Sequence, residues 1–158
     1  MIFVTVGASP FPFDRMLRAV ASLPGDRLFV QHGPGEPPAN AAKAVEFLSL
    51  TELVDAVAQA DIVISHAGAG SVIGALQAGH TPVLIPRLQR HGETVDDHQL
   101  ELARALEREG RAVVAWDSGQ LADVVAAVPA RRPPEREREL PIHRALRRAL
   151  LGLDPVPG

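Results

Sequence analysis

The run SHAGAGS at residues 65–71 sets a histidine, two glycines and a serine directly after the apolar stretch DIVI and directly before VIGALQAG. Glycine at 68 and at 70 permits backbone conformations and close approaches closed to other residues, and Ala69 and Ser71 are too small to cover the amides at a helix start. Such amides, at the positive end of the helix dipole, bind anions. The chemistry expected of Gly68, Ala69, Gly70 and Ser71 is therefore the cradling of a phosphate or diphosphate. The same residues also read as a tight strand-to-helix turn whose glycines serve packing alone, with His66 either a ligand contact or a satisfied core histidine.

Two further stretches have the composition of binding loops. GASPFPFD at 7–14 puts Gly7, a small residue and the hydroxyl of Ser9 ahead of Asp14, which is expected to cap a helix beginning at Arg15. It reads as an anion cradle or as an ordinary turn before a capped helix. PRLQRHGETVDDHQ at 86–99 is a long polar connection, the kind of segment that carries function. Asp96 and Asp97 can cap free amides there, while His98 and Gln99 are expected to face the same strand ends as Ser71. Acceptors and donors together suit the hydroxyls of a sugar. His91, Glu93, Asp96, Asp97 and His98 contain no helical histidine pair at ligand spacing, so no metal is assigned. QHGPGEPP at 31–38 reads as a plain connection.

These loops need a scaffold, and the periodicity supplies one. IFVTV (2–6), RLFVQH (27–32), AVEFLS (44–49), DIVIS (61–65), TPVLIP (81–86) and AVVAW (112–116) are short apolar runs rich in β-branched residues, predicted as strands. Between them lie FDRMLRAVASL, LTELVDAVAQA, GSVIGALQAG, DDHQLELARALEREG and SGQLADVVAAV, with apolar residues three and four apart, predicted as helices. Alternating strands and helices, with several strands apolar on both faces, predict an α/β domain: a doubly wound, mainly parallel, Rossmann-like sheet. In such sheets ligands lie beyond the carboxyl ends of the strands, where the loops above begin.

Composition narrows the function. The 158 residues, 46% of them hydrophobic, suffice for one domain with a sizeable core. A net charge of −3 and 4% aromatic residues, none of them Tyr, argue against nucleic acid as a partner. There is no cysteine, hence no disulfide framework or thiolate metal site, which suits a reducing compartment. MIFVTVG reads as a first strand and not as an export signal, and no apolar run approaches the roughly 20 residues of a membrane-spanning helix. A cytoplasmic location is expected.

TVGASPFPFDRML, the segment from FLSLTELVDAVAQADIVISHAGAGS to VDDHQLELARAL, and the spacing between them resemble the glycosyltransferase family 28 C-terminal domain over about residues 1 to 128. Within that family the chain is most similar to small single-domain subunits. The resemblance implies the C-terminal, donor-binding half of a GT-B glycosyltransferase. It implies that Gly7 and Ser9 approach the phosphates of a UDP-sugar, that Leu48 offers its backbone to the uracil with Phe47 nearby, and that His66 through Ser71 line the diphosphate and ribose. Arg87 would join them, and Asp97, His98 and Gln99 would meet the sugar. No cofactor and no bound metal are implied. Gly74 departs from the pattern, since many relatives carry a carboxylate there for the ribose hydroxyls. The catalytic base is unassigned, because in two-domain relatives it comes from the other half. The resemblance thus implies a membrane-associated partner subunit that binds the acceptor and brings the chain into peripheral membrane contact.

Residues 129–158 are set apart by Pro133 and Pro134 and a run of charges, and end in a predicted helix with Ile142, Leu146, Leu150 and Leu153 beside Arg144, Arg147 and Arg148. Such a helix either folds back on its own domain or docks on a partner or an anionic membrane. Two functions of different class remain: a hexosyltransferase subunit that moves sugar from UDP to a lipid-linked acceptor, and a non-catalytic nucleotide-sugar- or phosphate-binding module.

Overall fold

A computed structural model describes residues 1–129 and Arg131. Six strands form one sheet: β1 (Ile2–Thr5), β2 (Leu28–Gln31), β3 (Lys43–Val45), β4 (Ile62–Ser65), β5 (Val83–Leu84) and β6 (Val113–Val114). Their order is β3-β2-β1-β4-β5-β6, and every pairing is parallel. This is the doubly wound arrangement expected, with the order reversing between β1 and β4. The central strands are apolar up to the polar residue that ends each of them (Thr5, Gln31, Ser65), because helices cover both faces, and all four residues of β1 are buried.

The helices are α1 (Asp14–Val20), α2 (Leu50–Gln59), α3 (Ala69–Gln77), α4 (His98–Arg108) and α5 (Leu121–Ala126). On one face, Met16, Leu17 and Val20 of α1 and Leu121 of α5 pack on Val4, Val30, Ile64 and Ile85. On the other, Ala56 and Val57 of α2 pack on Phe3, Phe29 and Val63, while Val72 of α3 and Ala103 and Leu106 of α4 pack on Leu84 and Val114. Burial of the helix stripes at three- and four-residue spacing drives this layering.

Two local expectations need correction. Asp14 is the first residue of α1 and not its cap; Phe13 precedes the helix, without a side-chain cap, and its ring is buried in the core instead. The strand expected over 44–49 stops at Val45, because Ser49 and Glu52 form a capping box that commits the next residues to the start of α2. The C-terminal helix predicted from the sequence lies outside the described residues. Among those described, no helix is long and apolar enough to cross a membrane.

Candidate functional site

The loops after β1, β4 and β5 meet at the carboxyl edge of the sheet. Gly7 follows β1 with φ +78°, a left-handed conformation that favours glycine. Its amide donates to Thr5 Oγ1 at 3.1 Å and its carbonyl accepts from Gln31 Nε2 at 3.2 Å. Thr5 Oγ1 in turn donates to Gln31 Oε1 at 2.6 Å, so buried polar groups of β1 and β2 hold this turn. Ser9 is half-buried, and its hydroxyl accepts the Phe11 amide at 3.2 Å.

The His66 ring fills the space beside two glycines. A Cβ on Gly7 would lie 2.6 Å from Nε2, and a Cβ on Gly68 would lie 2.7 Å from Cδ2. These glycines therefore admit the imidazole between the loop after β1 and the loop after β4. Burial, reinforced by the nearby Arg87 cation, lowers the His66 pKa from 6.5 to about 4. The ring is neutral at physiological pH and retains one N–H to offer an anion.

Gly68 is the N-cap of α3 and provides no side-chain cap, so the first turn of this helix keeps the orphan amides of a helix start. Ala69 and Gly70 are exposed and Ser71 is half-buried. A Cβ at Gly70 or at Gly74 would meet nothing within 4 Å, so both positions face open space. An uncapped helix start at the switch point of the sheet has the electrostatics to hold a diphosphate.

Arg87 lies beneath these loops. It is 1% exposed, and its guanidinium donates to the carbonyls of Val6 (2.8 Å), Glu93 (2.9 Å), Phe11 (3.0 Å) and Pro12 (3.3 Å) while stacking 4.5 Å from the Phe13 ring centroid. Only Nε lacks a partner. Burial pulls its pKa down to about 10, opposed by Glu93, so it remains charged. The residue thus ties the loop after β1 to the loop after β5, with its charge directed at carbonyls. The Arg87 amide donates to Gln99 Oε1 at 3.1 Å, fixing the side-chain carbonyl and leaving the amide NH2 as donor.

Around the rim, Asp96 Oδ1 accepts from the His98 amide at 3.1 Å and pairs with His98 Nδ1 at 3.0 Å, which raises the His98 pKa. Asp97 Oδ1 accepts from the Gln89 amide at 3.0 Å, so this carboxylate braces the loop instead of capping α4. The His98 side chain is 82% exposed. Leu48 sits apart, two strands over, half-buried against the core around Phe3 and Phe29, with Phe47 exposed beside it. It borders a concavity of about 500 Å³ formed with Met1, Phe29, Lys43 and Ala56, on the far side from the glycine loops.

The structure therefore gathers Gly7, His66 and Gly68 through Ser71 at one point, with Gln99 following the adjacent strand. Sequence reasoning missed the supports: Arg15 donates from Nε and NH2 to the two carboxylate oxygens of Glu93 (2.9 and 2.8 Å) and from NH2 to the Pro86 carbonyl at 2.8 Å. Glu93 also accepts the Leu88 amide at 2.9 Å. No local spacing signals a pair 78 residues apart.

Comparison with known proteins places this geometry. Residues 1–139 match the model of the glycosyltransferase family 28 C-terminal domain. The chain is 33% identical over 121 residues to the UDP-N-acetylglucosamine transferase subunit ALG13 of Homo sapiens, covering 69% of this chain and 10% of that protein. It is 29% identical over 142 residues to the subunit of the same name from Yarrowia lipolytica, covering 80% of this chain and 70% of that one. The chain thus spans about a tenth of the length of the human relative. Among solved structures it shares its fold with Acinetobacter baumannii MurG, at 22% identity and a TM-score of 0.54 over 78% of this chain and 40% of that chain.

Proposed function

We propose, from the premise that the chain belongs to the glycosyltransferase family 28 C-terminal domain family, that it is the donor-binding subunit of a hexosyltransferase that uses a UDP-sugar. The observation that carries this reading is the uncapped start of α3, open beside Gly70 and placed at the switch point between β1 and β4. The diphosphate lies over the amides of Ala69, Gly70 and Ser71, with Gly7 and the neutral His66 alongside. The sugar extends towards Gln99 and His98. UDP-N-acetylglucosamine is the first donor to test, since both curated relatives are named for it.

In the reaction an acceptor hydroxyl attacks the anomeric carbon, the bond from that carbon to the diphosphate oxygen breaks, and the hydroxyl proton passes to a base. The helix-start amides stabilise the negative charge on the departing UDP. Arg87 is a positioning residue: by gripping the Val6 carbonyl it holds Gly7 where the phosphate arrives. The base and most of the acceptor site come from a membrane-associated partner. The subunit names of the relatives support a partnership of this kind.

Gly74 favours a second reading, a nucleotide-sugar-binding module without transfer activity, because a ribose-binding carboxylate is missing there. Calorimetric titration with UDP, a panel of UDP-sugars, GDP and NAD tests the donor reading. Saturable binding of UDP and one UDP-sugar in preference to GDP and NAD is expected; equal binding of all nucleotides, or none to the chain with its partner co-expressed, would overturn it.

A further inference from the structure

A second concavity, of about 310 Å³, opens on the same rim of the sheet, beyond the loop that follows β5. Its apolar lining is Pro86, Leu88 and Leu100, together with Trp116, which lies two residues beyond the sixth strand and is 44% exposed. Arg90 and Arg104 stand on its edge, and neither has a carboxylate partner among the described residues. The Arg104 guanidinium lies 5.8 Å from the Trp116 ring centroid, and Glu107 anchors the indole by accepting from Nε1 at 3.0 and 3.2 Å.

The electrostatics favour an anion. Arg15 also lines the pocket, but Glu93 neutralises it. The one lining carboxylate, Asp97, has an oxygen committed to the Gln89 amide. Two unpaired guanidiniums therefore face one braced carboxylate. A large exposed indole held rigidly beside an apolar lining is costly to leave wet, and it suits a ligand with an apolar body. Guanidinium groups favour phosphate geometry.

We propose that this pocket binds an organic phosphate, with the phosphoryl group on Arg90 and Arg104 and the apolar group esterified to it against Trp116, Leu88 and Leu100. Pro86, Leu88, Arg90 and Asp97 of its lining belong to the same loop after β5 that carries Arg87 and leads to Gln99 of the proposed donor groove. Assigning the occupant to the acceptor, whose phosphate this chain would then hold itself, rests on the donor reading.

Trp116 is the only tryptophan of the chain, so its emission reports on this pocket alone. The test is titration of the full chain, without UDP and again with UDP in excess, with geranyl monophosphate, using inorganic phosphate and geraniol as controls. A saturable change in Trp116 emission is expected with geranyl monophosphate, at far lower concentration than with either control. Arg90→Ala and Arg104→Ala should each weaken it about tenfold, and the double variant should abolish it.

Equal responses to inorganic phosphate or to geraniol would overturn the two-part ligand. Competition by UDP would place the phosphate in the donor groove instead. Binding only to vesicles of anionic phospholipid would overturn it in favour of a membrane-facing surface. Calorimetry with UDP on the same samples separates the two proposals: unchanged UDP binding with no geranyl monophosphate response sinks this inference alone. Conversely, a response to the phosphate ester without UDP binding sinks only the donor reading.

Discussion

Replacing Gly74 by glutamate should strengthen UDP binding. Gly74 lies in α3, four residues after Gly70 and so on the same side of the helix. A Cβ there would meet no atom within 4 Å, so the side chain enters open space and the fold has no need to adjust. Gly→Glu within a helix should itself add about 0.5 kcal/mol of stability. A hydrogen bond from a hydroxyl to a charged acceptor is worth about 1.5 to 3 kcal/mol. Here the half-exposed position and repulsion from the diphosphate favour the lower end. An increment of about 1.5 kcal/mol corresponds to roughly tenfold tighter binding. Calorimetric titration of wild type and Gly74→Glu with UDP and with its 2′,3′-dideoxy analogue measures it. The gain should appear with UDP and vanish with the analogue. No gain in a folded variant, or the same gain with both ligands, would refute the placement of the ribose beside α3.

Other perturbations follow from the same geometry. Gly68→Ala drives a methyl into the His66 ring, which Gly7 flanks on its other side, and should cost about 1 to 3 kcal/mol in urea denaturation; most of this should return in the double variant with His66→Ala. Because His66 has a folded pKa near 4 against 6.5 unfolded, its contribution to stability is full above pH 6.5 and declines as pH falls towards 4, by on the order of 3 kcal/mol. Denaturation across that window should show a flatter profile for His66→Gln, and an identical slope would contradict the neutral buried ring. Arg87→Met abandons four carbonyls and should lose about 3 kcal/mol of stability together with UDP affinity, checked by urea denaturation and calorimetry. Gln99→Ala should weaken a UDP-sugar more than UDP; equal weakening of the two would remove Gln99 from the sugar contacts.

Much of the scaffold was legible because its elements have local causes. The β-branched runs at 2–6 and 61–65 and the helical stripes between them are dictated by burial; each appears within a residue of its predicted place except α1, which ends at Val20, three residues short of the predicted stripe. The order β3-β2-β1-β4-β5-β6 has no local signature, because it is set by which strands pair across the whole chain. The glycine turn was readable as a helix start, but its dependence on His66 was not, since that depends on where the ring lies against Gly7, 59 positions earlier in the sequence. The resemblance placed Arg87 among the ligand contacts, whereas the structure turns its guanidinium onto loop carbonyls. Its place directly after the buried run PVLIP was the available sign that it points inward. The Arg15–Glu93 pair and the pocket beside Trp116 arise from tertiary proximity alone.

The route by which the chain leaves the sheet also has a practical consequence. Arg131 donates to the carbonyls of Ala58 (2.6 Å) and Ala78 (2.9 Å), near the ends of α2 and α3. Both helices end where their chains turn into the amino ends of β4 and β5, so Arg131 is pinned at the pole of the domain opposite the glycine loops. A four-residue strand spans about 13 Å, so the length of the strands separates this anchor from the glycine loops. A dye or a surface linkage joined to the chain at residue 131 therefore sits at the pole opposite the glycine loops and leaves them clear for titration.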